Sequence, residues 1–109
     1  MNDMAVDVGA HKGAYTWWMQ RSVGRSGRVV AFEPQPFLAA QLHSLFRGDK
    51  VETVHAAVSS ASGTMQLWMP PGESSPGARL DQPMTMPGAR SIDVPVTTLD
   101  SHLDDSKPV

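Results

Sequence analysis

The stretch Met4-Ala5-Val6-Asp7-Val8-Gly9-Ala10-His11-Lys12-Gly13 decides how this chain of 109 residues is read. Its start is apolar, with Asp7 as the one polar interruption, which is the character of a short buried strand. Gly9 and Gly13 then bracket a tight turn, and Ala14-Tyr15-Thr16-Trp17-Trp18-Met19-Gln20 opens as a helix would. Strand, glycine turn and helix form a unit that holds an anionic or zwitterionic ligand against helix N-terminal amides. Glycine suits such a turn because a Cβ would keep a ligand away from the backbone.

Working outward, Tyr15 to Val23 is the first predicted helix. Gly24 and Gly27 mark its end, and Arg21 and Arg25 are placed to meet a helix C-terminus. Arg28-Val29-Val30-Ala31-Phe32 is the second strand, almost continuously apolar, as expected of a strand covered on both faces. Glu33-Pro34 stops it, since proline cannot donate to a ladder. Pro36 to Phe46 is the second helix, with Pro36 in its first turn. Phe37, Leu38, Leu42, Leu45 and Phe46, with Gln41 among them, give helical spacing. Gly48-Asp49 ends it, and Val51 to Val58 is the third strand. The first 58 residues therefore read β-α-β-α-β, which implies a parallel sheet with right-handed crossovers.

The pattern then changes. Ser59 to Gly63 is turn-rich, and Thr64-Met65-Gln66-Leu67-Trp68-Met69 alternates like a half-exposed strand. Residues 70–90 hold five Pro and three Gly, so a long loop is expected. Ser91 to Leu99 alternates again and should pair antiparallel with Thr64–Met69 at one side of the sheet. Pro95 predicts that this strand lies at an edge or carries a bulge. Asp100-Ser101-His102-Leu103 starts a helix, with Asp100 or Ser101 as cap. The chain divides as 1–58, then 59–100 with its loop, then a tail over 101–109, all within one domain.

Composition narrows the function classes. Hydrophobic residues at 40% and charged residues at 18% fit a folded globular chain. The net charge is −2, and the nine Lys and Arg are scattered along the sequence, so neither a nucleic-acid nor a membrane partner is expected. Cysteine is absent, which removes disulfides, thiolate metal sites and a cysteine nucleophile. No apolar run approaches the ~20 residues needed to span a bilayer. Met1-Asn2-Asp3 lacks the basic start of a signal peptide, so the cytoplasm is the default location.

Glu33 gives the glycine turn its meaning. It lies 24 residues after Gly9, at the carboxyl end of the next parallel strand. An acid at that place faces the ribose of a nucleoside whose other end sits on the turn. A carboxylate accepts hydrogen bonds from both ribose hydroxyls, and its charge would repel a 2′-phosphorylated cofactor. The plain alternatives are a strand-to-helix turn with no ligand and a solvated loop glutamate before a proline.

At this point the residues resemble a family. Asp7-Val8-Gly9-Ala10-His11-Lys12-Gly13-Ala14-Tyr15-Thr16, Gly27-Arg28-Val29-Val30-Ala31-Phe32-Glu33-Pro34, His55-Ala56-Ala57-Val58-Ser59 and Thr98-Leu99-Asp100-Ser101 resemble, in order, segments of the FkbM-type methyltransferases. The resemblance implies a Rossmann-like α/β fold, a three-layer parallel sheet with an added antiparallel strand pair. It also implies a class I enzyme that uses S-adenosylmethionine, mostly for O-methylation of a small-molecule or glycan hydroxyl. Asp7, Gly9, Ala10 and Gly13 match the glycine motif at the methionine end of the cofactor. His11 stands where the family often has Asn. Tyr15 and Thr16 match the helix start, Glu33 matches the ribose acid, Pro34 and Gln35 lie near the adenine, and Ala57 and Val58 lie on the adenine side.

The family continues past the Leu-Asp-Ser segment into a strand of the type I-K-I-D-x-E-G, where this sequence ends. The chain is therefore expected to be the cofactor part of a methyltransferase, truncated before the fourth core strand. Its first strand would then expose an edge, through which the chain self-associates or takes a partner. Two other readings stay open: an inactive adenosyl-binding remnant, and an NAD-dependent oxidoreductase, against which the lone Gly-x-x-x-Gly turn counts. No catalytic base is named. His11, His43, His55 and His102 lack metal-ligand spacing, so no metal is expected. Trp17, Trp18 and Trp68 are assigned to helix-to-sheet packing, with an aromatic substrate wall as the alternative. Met65, Met69, Met84 and Met86 could line an adaptable acceptor surface.

Overall fold

The computed structural model describes residues 4–47, 50–71 and 78–102. Strand β1 (Met4–Val8), helix α1 (Ala14–Ser22), strand β2 (Arg28–Phe32), helix α2 (Pro36–Leu45) and strand β3 (Val51–Val54) follow one another. The three strands pair in parallel, in the order β1-β2-β3. Val29, Val30, Ala31 and Phe32 of β2 are fully buried, which is why this strand reads as an unbroken apolar run. Alternation along β2 sends Ala31 toward α2, where it packs with Ala10, Leu42 and Phe46. Phe32 points to the other face, where the His102 ring meets it edge-on at 5.3 Å.

Among the described residues β1 pairs with β2 alone, so its outer edge carries unpaired backbone groups. The Gly9 N–H donates to the Phe32 carbonyl at 2.8 Å, and backbone direction alternates along a strand. Ala5 and Asp7 therefore turn their N–H groups toward β2, while Met4, Val6 and Val8 turn theirs outward. Met4 and Val8 are also exposed as side chains.

The two helices bury different amounts. In α2, Leu38, Ala39 and Leu42 are buried, with Phe46 just beyond the last turn. Phe37 and Leu45 lie outside, so the apolar positions counted together in the sequence divide between two faces. Helix α1 buries Thr16 completely, and one and two turns further Gln20 is half-buried and Val23 buried. Trp17 is 50% and Trp18 63% exposed, which corrects their assignment to packing on the sheet. Contiguous Trp17 and Trp18 cannot share the face of Thr16, because neighbours on a helix diverge by about 100°. Helix α1 ends at Val23 followed by Gly24 at φ 82°, the left-handed position favoured after a helix.

The second half departs from the sequence reading. The run Val51–Val58 is not one strand: the Ala56 N–H bonds back to the Val54 carbonyl at 3.0 Å, a three-residue turn centred on His55. The chain leaves the parallel sheet there and forms β4 (Ala57–Val58) in a second sheet. That sheet adds β5 (Gly63–Met69), β6 (Arg79–Leu80) and β7 (Arg90–Thr97), in the order β4-β7-β5-β6. The expected antiparallel pair is present as β5 and β7, in register from Gly63 opposite Val96 to Met69 opposite Arg90. It sits in this second sheet, around Leu67, Met69 and Val94, not at the side of the parallel one. Strand β6 lies inside the stretch read as loop.

Pro95 is neither at an edge strand nor in a bulge. β7 has β5 on one side and β4 on the other. The Ser59 N–H donates to the Thr97 carbonyl, so Thr97 and, two residues back, Pro95 face β4. Pairing with β4 begins at Ala57 opposite Val96, so the donor that Pro95 lacks would point past the start of that two-residue partner. Helix α3 (Leu99–His102) is capped by Thr98, whose Oγ1 accepts the Ser101 N–H at 3.2 Å, not by Asp100 or Ser101. Leu103 and most of the expected tail lie outside the described residues, as does Gly48-Asp49.

Candidate functional site

The turn between β1 and α1 is built from left-handed backbone. Gly9, His11 and Gly13 have φ of 75°, 54° and 91°. The N–H groups of Gly9 and Ala10 both donate to the Phe32 carbonyl, at 2.8 and 3.0 Å, so the end of β2 anchors the turn. The Gly13 N–H closes it on the Ala10 carbonyl at 2.9 Å, and the Trp17 N–H to Gly13 carbonyl bond starts α1. No side chain caps that helix.

The two glycines do different work. A Cβ on Gly13 would meet Leu42 Cδ2 at 2.9 Å and Phe46 Cε2 at 3.0 Å, so Gly13 lets the turn rest on α2. A Cβ on Gly9 would meet nothing within 4 Å. Gly9 alone therefore offers a bare backbone open to a ligand, and its left-handed φ excludes most other residues. The sequence reading gave both glycines that task.

Glu33 reaches into this turn. One carboxylate oxygen accepts the His11 backbone N–H at 2.7 Å, and the other accepts the Gln35 N–H at 3.0 Å. Glu33 is 2% exposed, so it is not a solvated loop glutamate. A carboxylate offers about four lone-pair sites, and the two amides use one on each oxygen. Acceptor capacity remains for hydroxyl donors. The amides also fix the carboxylate's orientation in advance, as a concave set of N–H groups does for an anion.

Asp7 and Thr16 form a second buried link. The Thr16 hydroxyl donates to Asp7 Oδ2 at 2.6 Å, and both residues are buried. The bond ties the end of β1 to the first turn of α1 across the glycine turn. Ala10 points down into the core, while the His11 ring keeps its Nε2 buried without a hydrogen-bond partner. A buried orphan of this kind calls for an explanation. A polar group entering the site could satisfy it. His is one of the residues enriched in left-handed backbone, as is Asn.

Other candidates lie further off. The Pro34 carbonyl sits 3.0 Å from His55 Nε2, and the Gln35 side of Glu33 adjoins a cleft of about 210 Å³. Gln35, Pro36 and Phe37 form one wall of that cleft, and Met69, Arg90 and Ile92 form the other. No spacing in the sequence signals it, because one wall is the start of α2 and the other comes from β5 and β7, more than 30 residues further along the chain. Ala57 and Val58 pair with Val96 and Thr97 in the second sheet. Val58 lines a separate cleft of about 270 Å³ with Ser59, Ser60, Thr98, Leu99 and Asp100. Met69 is buried in the core of the second sheet, so the four methionines do not form one surface. His43 and His55 share a cleft with Thr53, and among the described residues no three metal-ligating side chains converge.

A parallel α/β layout whose first turn meets the acid ending the next strand belongs to the class that receives ligands beyond the carboxyl ends of its strands. Within that class, the chain belongs to the FkbM methyltransferase family: the methyltransferase FkbM domain matches residues 7–109. The match supports methyl transfer as its general function. Comparison with curated proteins and with solved structures gives no match. Among the described residues, no helix is long and apolar enough to cross a membrane.

Proposed function

We propose that this chain is a Rossmann-like domain that binds S-adenosylmethionine between the Gly9 turn and Glu33, and serves O-methyl transfer to a small-molecule or glycan hydroxyl. The observation that carries the reading is the 2.7 Å bond from the His11 N–H to Glu33, which brings turn and acid into one site. The residues fit such a donor. Gly9 leaves its backbone open, Glu33 has lone pairs to spare for a ribose diol, and the His11 Nε2 lacks a partner. When bound, the donor supplies an electrophilic methyl group on sulfonium sulfur. The chain's own part is to hold and orient, and positioning of this kind lowers barriers by several kcal/mol.

In this reading Glu33 takes the ribose hydroxyls, and Gly9, with Ala10 and Gly13 shaping the turn, takes the methionine end. Asp7 and Thr16 hold the turn's two supports together. Pro34 and Gln35 continue toward the adenine. Ala57 and Val58, being in the second sheet, belong to the outer part of the pocket at most.

Calorimetric titration with S-adenosylhomocysteine, and separately with NAD, tests the proposal. Binding of the first, abolished in Glu33→Gln while the fold persists, is the expected result. Binding of NAD instead would identify an oxidoreductase. Binding of the homocysteine compound with no methyl release from labelled donor would identify an adenosyl-binding chain without turnover. Binding of neither sinks the reading.

A further inference from the structure

Helix α1 is inside out. Thr16, Gln20 and Val23 face the sheet, and the outward face carries Trp17, Trp18 and Arg21. The Arg21 guanidinium lies 4.9 Å from the centre of the Trp17 ring, which holds that ring in place on the surface. Tyr15, at the start of the same helix, is 73% exposed. A folded chain rarely turns two tryptophans of one helix to water unless something covers them.

Charge says what covers them. From Val8 to Phe32 the sequence has no acidic residue, although the whole chain has 11 Asp and Glu against 9 Lys and Arg. The same stretch holds Lys12, Arg21, Arg25 and Arg28, all exposed. Lys50 joins them from outside, with its ammonium on the Gly24 carbonyl at the end of α1. Five of the nine cations that look scattered in the sequence therefore lie toward the two ends or on the outward face of one helix. Tryptophan rings at the surface with cations around them are the chemistry of a water–lipid boundary. The indole has an apolar body and a polar N–H, and the basic side chains meet anionic headgroups.

We propose that the outward face of α1 docks on a bilayer surface bearing anionic headgroups, with Trp17 and Trp18 entering the headgroup boundary. This revises the expectation that the chain has no membrane partner, and it does not depend on the methyl-transfer reading. The chain lies on the surface in this proposal and does not cross it.

Vesicle co-sedimentation of the whole chain tests it, using phosphatidylcholine with and without about one third phosphatidylserine. The expected result is binding to the mixed vesicles only, weakening as salt rises. Arg25→Gln should weaken it about fivefold, the contribution of one basic side chain at such a surface. Trp18→Ala should also weaken it, and brominated acyl chains should quench the fluorescence of the wild type. Both residues are exposed, and circular dichroism checks that the variants fold. No binding, or equal binding to both vesicles, overturns the proposal. So does an oligomer that Trp18→Ala dissociates, which would make the face an interface between copies. Capture by an acidic polypeptide such as polyglutamate, without capture by vesicles, overturns it too.

Discussion

The backbone N–H of His11 donates to the carboxylate of Glu33 at 2.7 Å, across 22 residues of sequence. The acid that the nucleoside reading assigns to a ligand is already part of the turn that would hold that ligand's other end. Turn and acid are one unit, and changes to either should be felt in both stability and binding.

Glu33→Gln removes the charge and turns one acceptor into a donor, so one of the two amides at His11 and Gln35 loses its partner. The expected cost is about 2 kcal/mol of folding stability, the scale of a buried charged hydrogen bond. Urea unfolding measures it. A variant as stable as the wild type would mean that the two amide bonds contribute nothing.

Thr16→Val keeps the shape of the side chain and removes the donor to Asp7. It leaves a buried carboxylate oxygen without its hydroxyl, and about 1–3 kcal/mol of stability should be lost. Adding Asp7→Asn should cost less than the sum of the single changes, because both act on the same bond. Strict additivity in denaturant midpoints would show that the pair is not coupled.

Gly9→Ala and Gly13→Ala should separate binding from stability. Both place a Cβ on left-handed backbone, at a cost of roughly 1 kcal/mol or more. Only at Gly13 does that Cβ also press on Leu42 and Phe46, at 2.9 and 3.0 Å. Gly13→Ala should therefore be the less stable of the two by thermal melting. Gly9→Ala should be the poorer binder of S-adenosylhomocysteine. The reverse order would assign the open side of the turn wrongly.

Val6→Pro tests the free edge of β1. The Val6 N–H points away from β2, so proline removes an outward donor and spares the ladder to β2. We expect the wild type to associate with rising concentration through this edge, and the variant to scatter light as a smaller species. A wild type that stays monomeric across that range removes edge pairing as an association route.

The sequence discloses some of this molecule and conceals the rest for physical reasons. β2 and α2 are legible because an unbroken apolar run and a first-turn proline are local signals. The meeting of turn and acid is legible because alternation along two adjacent parallel strands dictates it. The break at His55 is not, since Val54, Ala56, Ala57 and Val58 form an apolar run that a single three-residue turn can interrupt unannounced. Strand β6 is two residues long, too short to show a period. The outward tryptophans stay hidden because three large apolar residues in succession, Trp17, Trp18 and Met19, leave the buried face of a helix undefined. The choice falls to the hydroxyl of Thr16, which follows Asp7 inward.

The seat of Gly13 on α2 reaches beyond the turn itself. Leu42 and Phe46 pack beneath the turn with Ala10, away from its open Gly9 side, and they set how low the loop can settle over the sheet, and so where Gly9 presents its backbone. Side-chain bulk at 13, 42 and 46 is thus a shared quantity. Enlarging one of these residues should be tolerated only when another shrinks, and the three positions should drift through evolution in concert.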